Sequence, residues 1–181
     1  GITEAQVDFS NVLAARSMIE KEPNYSLVAA RLLLLTGYQE AIGFPVSFES
    51  IRTEYPRYLG QYIRKAVEHE LLSADLLDFD LDFLGKSIKP ERDLTFRYMG
   101  LQTLYDRYFI HWQDRRLEIP QVFWMRVAMG LAKKEKDKNA WAVKFYDMLS
   151  THRFISSTPT LFNSGTIHSQ LSSCYLSTIK D

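Results

Sequence analysis

Thr158-Pro-Thr-Leu-Phe-Asn-Ser-Gly165 and Gln170-Leu-Ser-Ser-Cys-Tyr-Leu176 break the pattern of everything before them. Upstream the chain is helical and amphipathic; here it turns to small hydroxyl residues, and its single cysteine, Cys174, follows two serines. Pro159 stiffens the backbone, and Gly165 permits a tight or left-handed turn. Phe154-Ile155 and Tyr175-Leu176 are expected as strand pieces flanking a polar loop. Five hydroxyls (Thr158, Thr160, Ser164, Ser172 and Ser173), the Asn163 carboxamide and the Cys174 thiol make a poor packing surface but a good polar pocket. Such a loop offers backbone N–H groups and neutral donors to a phosphate or a ribose without net charge. A thiol among hydroxyls rather than leucines is accessible and can act as a reductant. The same residues also read as a Ser/Thr-rich loop capping a helix, beside a buried and inert cysteine.

Working back from this stretch, helices dominate. Thr3-Glu-Ala-Gln6 reads as a capping box opening a helix over about 4–19, with Val7, Val12, Leu13 and Ile19 as candidate buried positions. Pro23-Asn24 breaks it. A second helix covers about 26–41, punctuated by Gly43 and Pro45. A third covers about 47–72, with an interruption expected at Pro56. The acidic, leucine-rich 73–82 reads as short helical turns whose aspartates cap helix starts. Asp93 is expected to start a helix over 94–105. Residues around Gln113-Asp114 predict a small hairpin within 107–117. Pro120 suits the first turn of a helix reaching about Ala132. Lys133-Lys-Glu-Lys-Asp-Lys-Asn139 reads as a solvated surface, either a charged loop or a frayed helix end. A last helix, about 140–151, is expected to bury Trp141, Phe145 and Met148 or Leu149. There is no internal repeat and no low-complexity segment.

Composition narrows the class. A length of 181 residues holds one domain, or one helical domain and part of a second. At 46% hydrophobic and 13% aromatic, the chain can bury a sizeable core. Lys+Arg and Asp+Glu both number 22, so charge supplies no argument for nucleic acid or an anionic membrane as partner. One cysteine forbids an internal disulfide, and His69, His111, His152 and His168 show no metal-ligand spacing. No secretory signal is visible after Gly1, and the longest apolar run is far below the roughly 20 residues of a membrane span. A soluble, reducing, cytoplasmic setting is the simplest expectation.

The order of elements resembles one family. Leu27-Val-Ala-Ala-Arg-Leu-Leu33, Glu91-Arg-Asp-Leu-Thr-Phe-Arg-Tyr-Met-Gly-Leu-Gln-Thr-Leu-Tyr105, Met125-Arg-Val-Ala-Met-Gly130 and Phe145-Tyr-Asp-Met-Leu-Ser150 lead into Thr158 to Thr166 and then Gln170 to Asp181. This series is similar to the large (alpha) subunit of class I ribonucleotide reductases, the ribonucleoside-diphosphate reductases. The terminal motif is specific; the helical portion is weaker by itself.

The resemblance implies a mainly α fold, a helical N-terminal domain leading into the first strand of a ten-stranded α/β barrel. Residues 1–42 would be closing helices of an N-terminal regulatory region, 43–152 the helical domain and 153–181 the start of the barrel. Cys174 would lie on that strand as one half of the cysteine pair that reduces the ribose 2′ carbon: a reductant and proton donor, never a metal ligand. Thr158 and Ser173 match positions that bind the substrate nucleotide, with Thr160 ranked below them.

The implied activity is reduction of ribonucleoside diphosphates to deoxyribonucleoside diphosphates for DNA synthesis, with the segment inactive alone. The implied partners are the remainder of the large subunit, a small metal-bearing, radical-generating subunit, the ribonucleoside diphosphate and a thioredoxin-type or glutaredoxin-type reductant. Nucleotide effectors, ATP among them, also belong to the family. No cofactor is expected on this segment. The second redox cysteine, the radical-carrying cysteine and the active-site asparagine and glutamate would lie downstream. The basic, glycine-containing start of an ATP cone is not found. A barrel strand stopping near Ile179-Lys-Asp181 would leave an unpaired edge, favouring a continuation or a partner chain. The alternative is a non-catalytic helical protein-interaction module with a structural Cys174. A lone nucleotide-binding domain is disfavoured by the absence of a Gly-rich phosphate loop.

Overall fold

A computed structural model of the chain describes residue 1 and residues 3–178. The predicted capping box is formed: the Thr3 hydroxyl accepts from the Gln6 N–H at 3.3 Å, and Gln6 Oε1 accepts from the Thr3 N–H at 2.9 Å. It opens α1 (Glu4–Ser17), which packs against α2 (Tyr25–Ile42). Among the described residues of α1, a narrow line, Val12 and Ala15, is buried. Val7 and Leu13, expected inside, are 48% and 41% exposed. α2 stops at Gly43, whose φ of +97° suits a residue without a side chain, and the Gly43 N–H closes the last turn on the Gln39 carbonyl at 2.8 Å.

α3 (Ile51–Glu68) runs through Pro56 without the expected break. Pro56 lies in the second turn, so the helix forgoes only the donor to the Arg52 carbonyl, and Arg52 is exposed to water. A 3-10 turn (Ala74–Asp78) leads to α4 (Leu81–Ser87), where the Asp80 carboxylate accepts from the Phe83 N–H at 2.9 Å. The reading of the aspartates as caps holds there.

Asp93 does not cap a helix. A 3-10 helix (Pro90–Thr95) contains it, and α5 is only Tyr98–Thr103, continued by a π-turn over Leu104–Tyr108. The reason is burial: the Asp93 carboxylate accepts from the hydroxyls of Tyr38 and Tyr55 and from Gln121 Nε2, so its backbone follows the core rather than a helix start.

The hairpin forms as expected. β1 (His111–Trp112) and β2 (Arg115–Arg116) pair antiparallel, and Gln113 takes a positive φ of 55° at the turn. α6 (Pro120–Ala132) is the axis of the core, with every residue from Pro120 to Met129 buried. α7 (Lys138–Ser150) lies along it and buries Ala142, Tyr146 and Leu149. Trp141 and Met148 fall on its exposed side, and Phe145 is half-buried. The helix begins two residues earlier than expected, capped by Asp137, which accepts from the Ala140 N–H at 3.2 Å.

The final helix, α8 (Thr158–Asn163), occupies part of what the sequence presented as loop. Phe154-Ile155 and Tyr175-Leu176, expected as strand pieces, have no regular structure and are exposed. A strand needs a neighbouring strand to receive its N–H and C=O groups, and among the described residues no strand lies beside either piece; the Phe154 N–H instead closes on the Met148 carbonyl after α7. Cys174 therefore lies on an irregular segment rather than on a strand. Residues 179–181, where an unpaired edge was expected, fall outside the described residues. No described helix is long and apolar enough to cross a membrane.

Candidate functional site

α8 is too short to be stable alone, so its place is set by what binds its end. Arg126, wholly buried in the middle of α6, donates from Nη1 to the carbonyls of Leu161 at 2.9 Å, Ser164 at 2.9 Å and, more weakly, Phe162 at 3.4 Å. Its Nε and Nη2 meet both oxygens of the equally buried Glu118 at 2.9 and 3.1 Å. Glu118 is held in turn by the Tyr62 hydroxyl at 2.7 Å and the Ile110 N–H at 2.8 Å. Burial by itself would push the Arg126 guanidinium down, but the charge and hydrogen bonds of Glu118 outweigh it and hold the group above its ordinary value.

The other side of the turn is equally tied. The Ser164 hydroxyl donates to the Val127 carbonyl at 2.8 Å, and Gly165, at a φ of +82°, accepts at its carbonyl from the Ser73 N–H at 2.9 Å. Gly130 passes so close that a side chain there would place its Cβ 2.2 Å from the Gly165 nitrogen. Leu72 and Thr166 complete the contact as an isolated bridge.

From this anchored helix the candidate residues extend. Thr158, the first residue of α8, is exposed, and its hydroxyl lies 3.1 Å from that of Tyr108. Tyr108 also stacks on Phe162, with ring centroids 4.6 Å apart. Thr160 donates to the Leu171 carbonyl at 3.2 Å, and Asn163 Nδ2 donates to the Gln170 carbonyl at 2.7 Å. The segment carrying Ser173 and Cys174 is thus bonded to α8 just before it departs. Both residues are exposed, and the thiol is free. Among the described residues neither makes a side-chain hydrogen bond to Thr158. The backbone path joins the three positions. No group of three or more His, Cys, Asp or Glu side chains gathers to hold a metal ion among the described residues.

Known proteins share this arrangement of sequence. Residues 94–169 match the family described as ribonucleotide reductase, all-alpha domain. The ribonucleoside-diphosphate reductase subunit alpha of Chlamydia muridarum is 52% identical over the whole chain, and that of Helicobacter pylori is 39% identical over 99% of it. The chain belongs to the ribonucleotide reductase large-subunit family. It matches the N-terminal region of that subunit. A ribonucleoside-diphosphate reductase large subunit of Danio rerio is 30% identical, again over the whole chain. The chain spans 17% of the length of the Chlamydia relative and 22% of the other two. The matched all-alpha stretch runs from the end of the 3-10 helix before α5 to just beyond the α8 turn, so it contains the Arg126 anchorage except Tyr62, Leu72 and Ser73.

Arg126, Glu118 and Asp93 escaped the sequence reading as a set, although the first two left a trace. An arginine between Met125 and Val127, on a helix whose other polar side chain is Gln121, has no solvated face to occupy, so it must carry a partner inward. Glu118, just before Pro120, was that partner. Asp93 sits within a mixed polar stretch and gave no comparable signal.

Proposed function

We propose that this chain supplies the N-terminal helical part of a ribonucleoside-diphosphate reductase large subunit and the start of its catalytic barrel, divided at about 1–42, 43–152 and 153–181. Thr158 and Ser173 bind the substrate diphosphate and ribose through neutral donors. Cys174 is one of two thiols that together deliver two electrons and two protons. The ribose C2′–O bond breaks, oxygen leaves as water, a C2′–H bond forms and the two sulfurs close a disulfide. The partner cysteine, the radical-carrying thiol and the nucleotide effector sites come from the remainder of the subunit. The initiating radical comes from a metal-bearing small subunit, and a thioredoxin- or glutaredoxin-type dithiol in the cytoplasm resets the disulfide. Alone, the segment is inactive.

The observation that carries this reading is the exposure of the one thiol. Cys174 stands in water, directly after a segment hydrogen-bonded to a short helix bearing Thr158 and Thr160, with no apolar shell to make it inert. Replacing Cys174 by serine in the complete large subunit, assembled with its small subunit, should leave folding intact. Steady-state turnover with a dithiol reductant should fall to background. Turnover persisting with a protein dithiol would refute the reductant role.

A further inference from the structure

Resting on the proposed function, we infer that Arg126 is the positioning residue of the substrate and thiol site. Its guanidinium fixes the end of α8, and through α8 both the Thr158 hydroxyl and the departure point of the Ser173–Cys174 segment.

A lysine could pair with Glu118 but could not reproduce what Arg126 does. The guanidinium is planar and divides its donors: one edge is consumed by the two Glu118 oxygens, which leaves Nη1 directed at the carbonyls of Leu161 and Ser164. The direction is not free, because Glu118 is itself fixed by the Tyr62 hydroxyl from α3 and by the Ile110 N–H. The last carbonyls of a helix lack donors and carry partial negative charge, so a buried cation there satisfies both deficits. The turn is pressed onto the same helix from its other side by Ser164 on the Val127 carbonyl and by the absence of a side chain at Gly130.

What α8 then holds is specific. Thr158 begins it, while Thr160 and Asn163 grip the Leu171 and Gln170 carbonyls. Two separated parts of the candidate site therefore share one anchor. Arg126 touches neither substrate nor thiol; it acts through the turn.

The test uses the full-length large subunit assembled with its small subunit, with cytidine diphosphate as substrate and probe. Arg126→Lys keeps a charge opposite Glu118 and removes the fork. The expected result is a KM and an equilibrium Kd for the diphosphate raised about tenfold, with kcat at saturation changed less than about threefold. A lowered unfolding temperature with unchanged KM would show that Arg126 only holds the fold together, and would overturn the inference. Should the lysine variant not fold, Ser164→Ala releases the turn from its other side. The same split in weaker form supports the inference, and an unaltered KM with the turn released overturns it. Thr158→Val separates this from failure of the underlying function. If it leaves diphosphate affinity unaltered, the proposed substrate contact itself is wrong. If it weakens binding while Arg126→Lys does not, the contact stands and only the positioning role is lost.

Discussion

Asp93 brings three parts of the chain onto one carboxylate: Tyr38 of α2, Tyr55 of α3 and Gln121 of α6. Tyr146 of α7 extends the set through its hydroxyl bond to Gln121 Oε1 at 2.7 Å. Burial pushes the Asp93 carboxyl up to about 6 against the three hydrogen bonds, which pull it down. A carboxyl raised on folding takes up a proton more readily in the native state than in the unfolded one. Stability from this group is therefore greatest at acid pH and falls as pH climbs from about 4 to about 6, flattening above. The expected span is about 1–3 kcal/mol. Urea midpoints at pH 4.5 and 7 should show that slope in the wild type and lose it in Asp93→Asn, which should also be less stable because one carboxamide cannot accept all three bonds. Gly130 makes a second prediction at this scale. An added methyl would sit 2.3 Å from the Ser164 hydroxyl oxygen and 2.2 Å from the Gly165 nitrogen, where little can yield. Gly130→Ala should cost about 1–3 kcal/mol, read as a lowered unfolding temperature.

At the scale of elements, the local chemistry of the caps is what transfers from sequence to structure. Asp80 opens α4 by accepting from the Phe83 N–H, and Asp80→Ala should cost about 1 kcal/mol, read in thermal unfolding. The capping box at Thr3, the glycine stop at Gly43, the hairpin at Gln113-Asp114 and the proline start at Pro120 were legible because each depends on a few adjacent residues. Features that depend on distant partners were not. Pro56 reads as a break until the surroundings of α3 and the exposure of Arg52 are known. Asp93 reads as a cap until Tyr38 and Tyr55 arrive from two other helices. The buried faces of α1 and α7 were misjudged for a related reason. Amphipathic spacing says that a helix has an inner side, whereas the neighbours decide how wide it is, so Val7, Leu13, Trp141 and Met148 stayed outside.

At the scale of the whole molecule, the candidate site divides along the same line. The Thr158–Gly165 and Gln170–Leu176 motifs stood out by composition, and they lie within the stretch over which the Chlamydia muridarum relative matches the chain. The anchorage beneath them came only with the fold, since Arg126 and Glu118 act over a distance of packing and not of sequence. The expected strand through Cys174 is an irregular segment among the described residues, because strand geometry there requires a sheet to pair with.

That bare segment has a colloidal consequence. Leu176 is 102% exposed and Tyr175 72%, two adjacent greasy groups held out in water. Sinking one leucine side chain into an apolar surface is favourable by about 1.5–3 kcal/mol, so concentrated solutions of these 181 residues should cluster reversibly through this segment. Light scattering that grows with concentration, and subsides in Leu176→Ser, is the signature to look for.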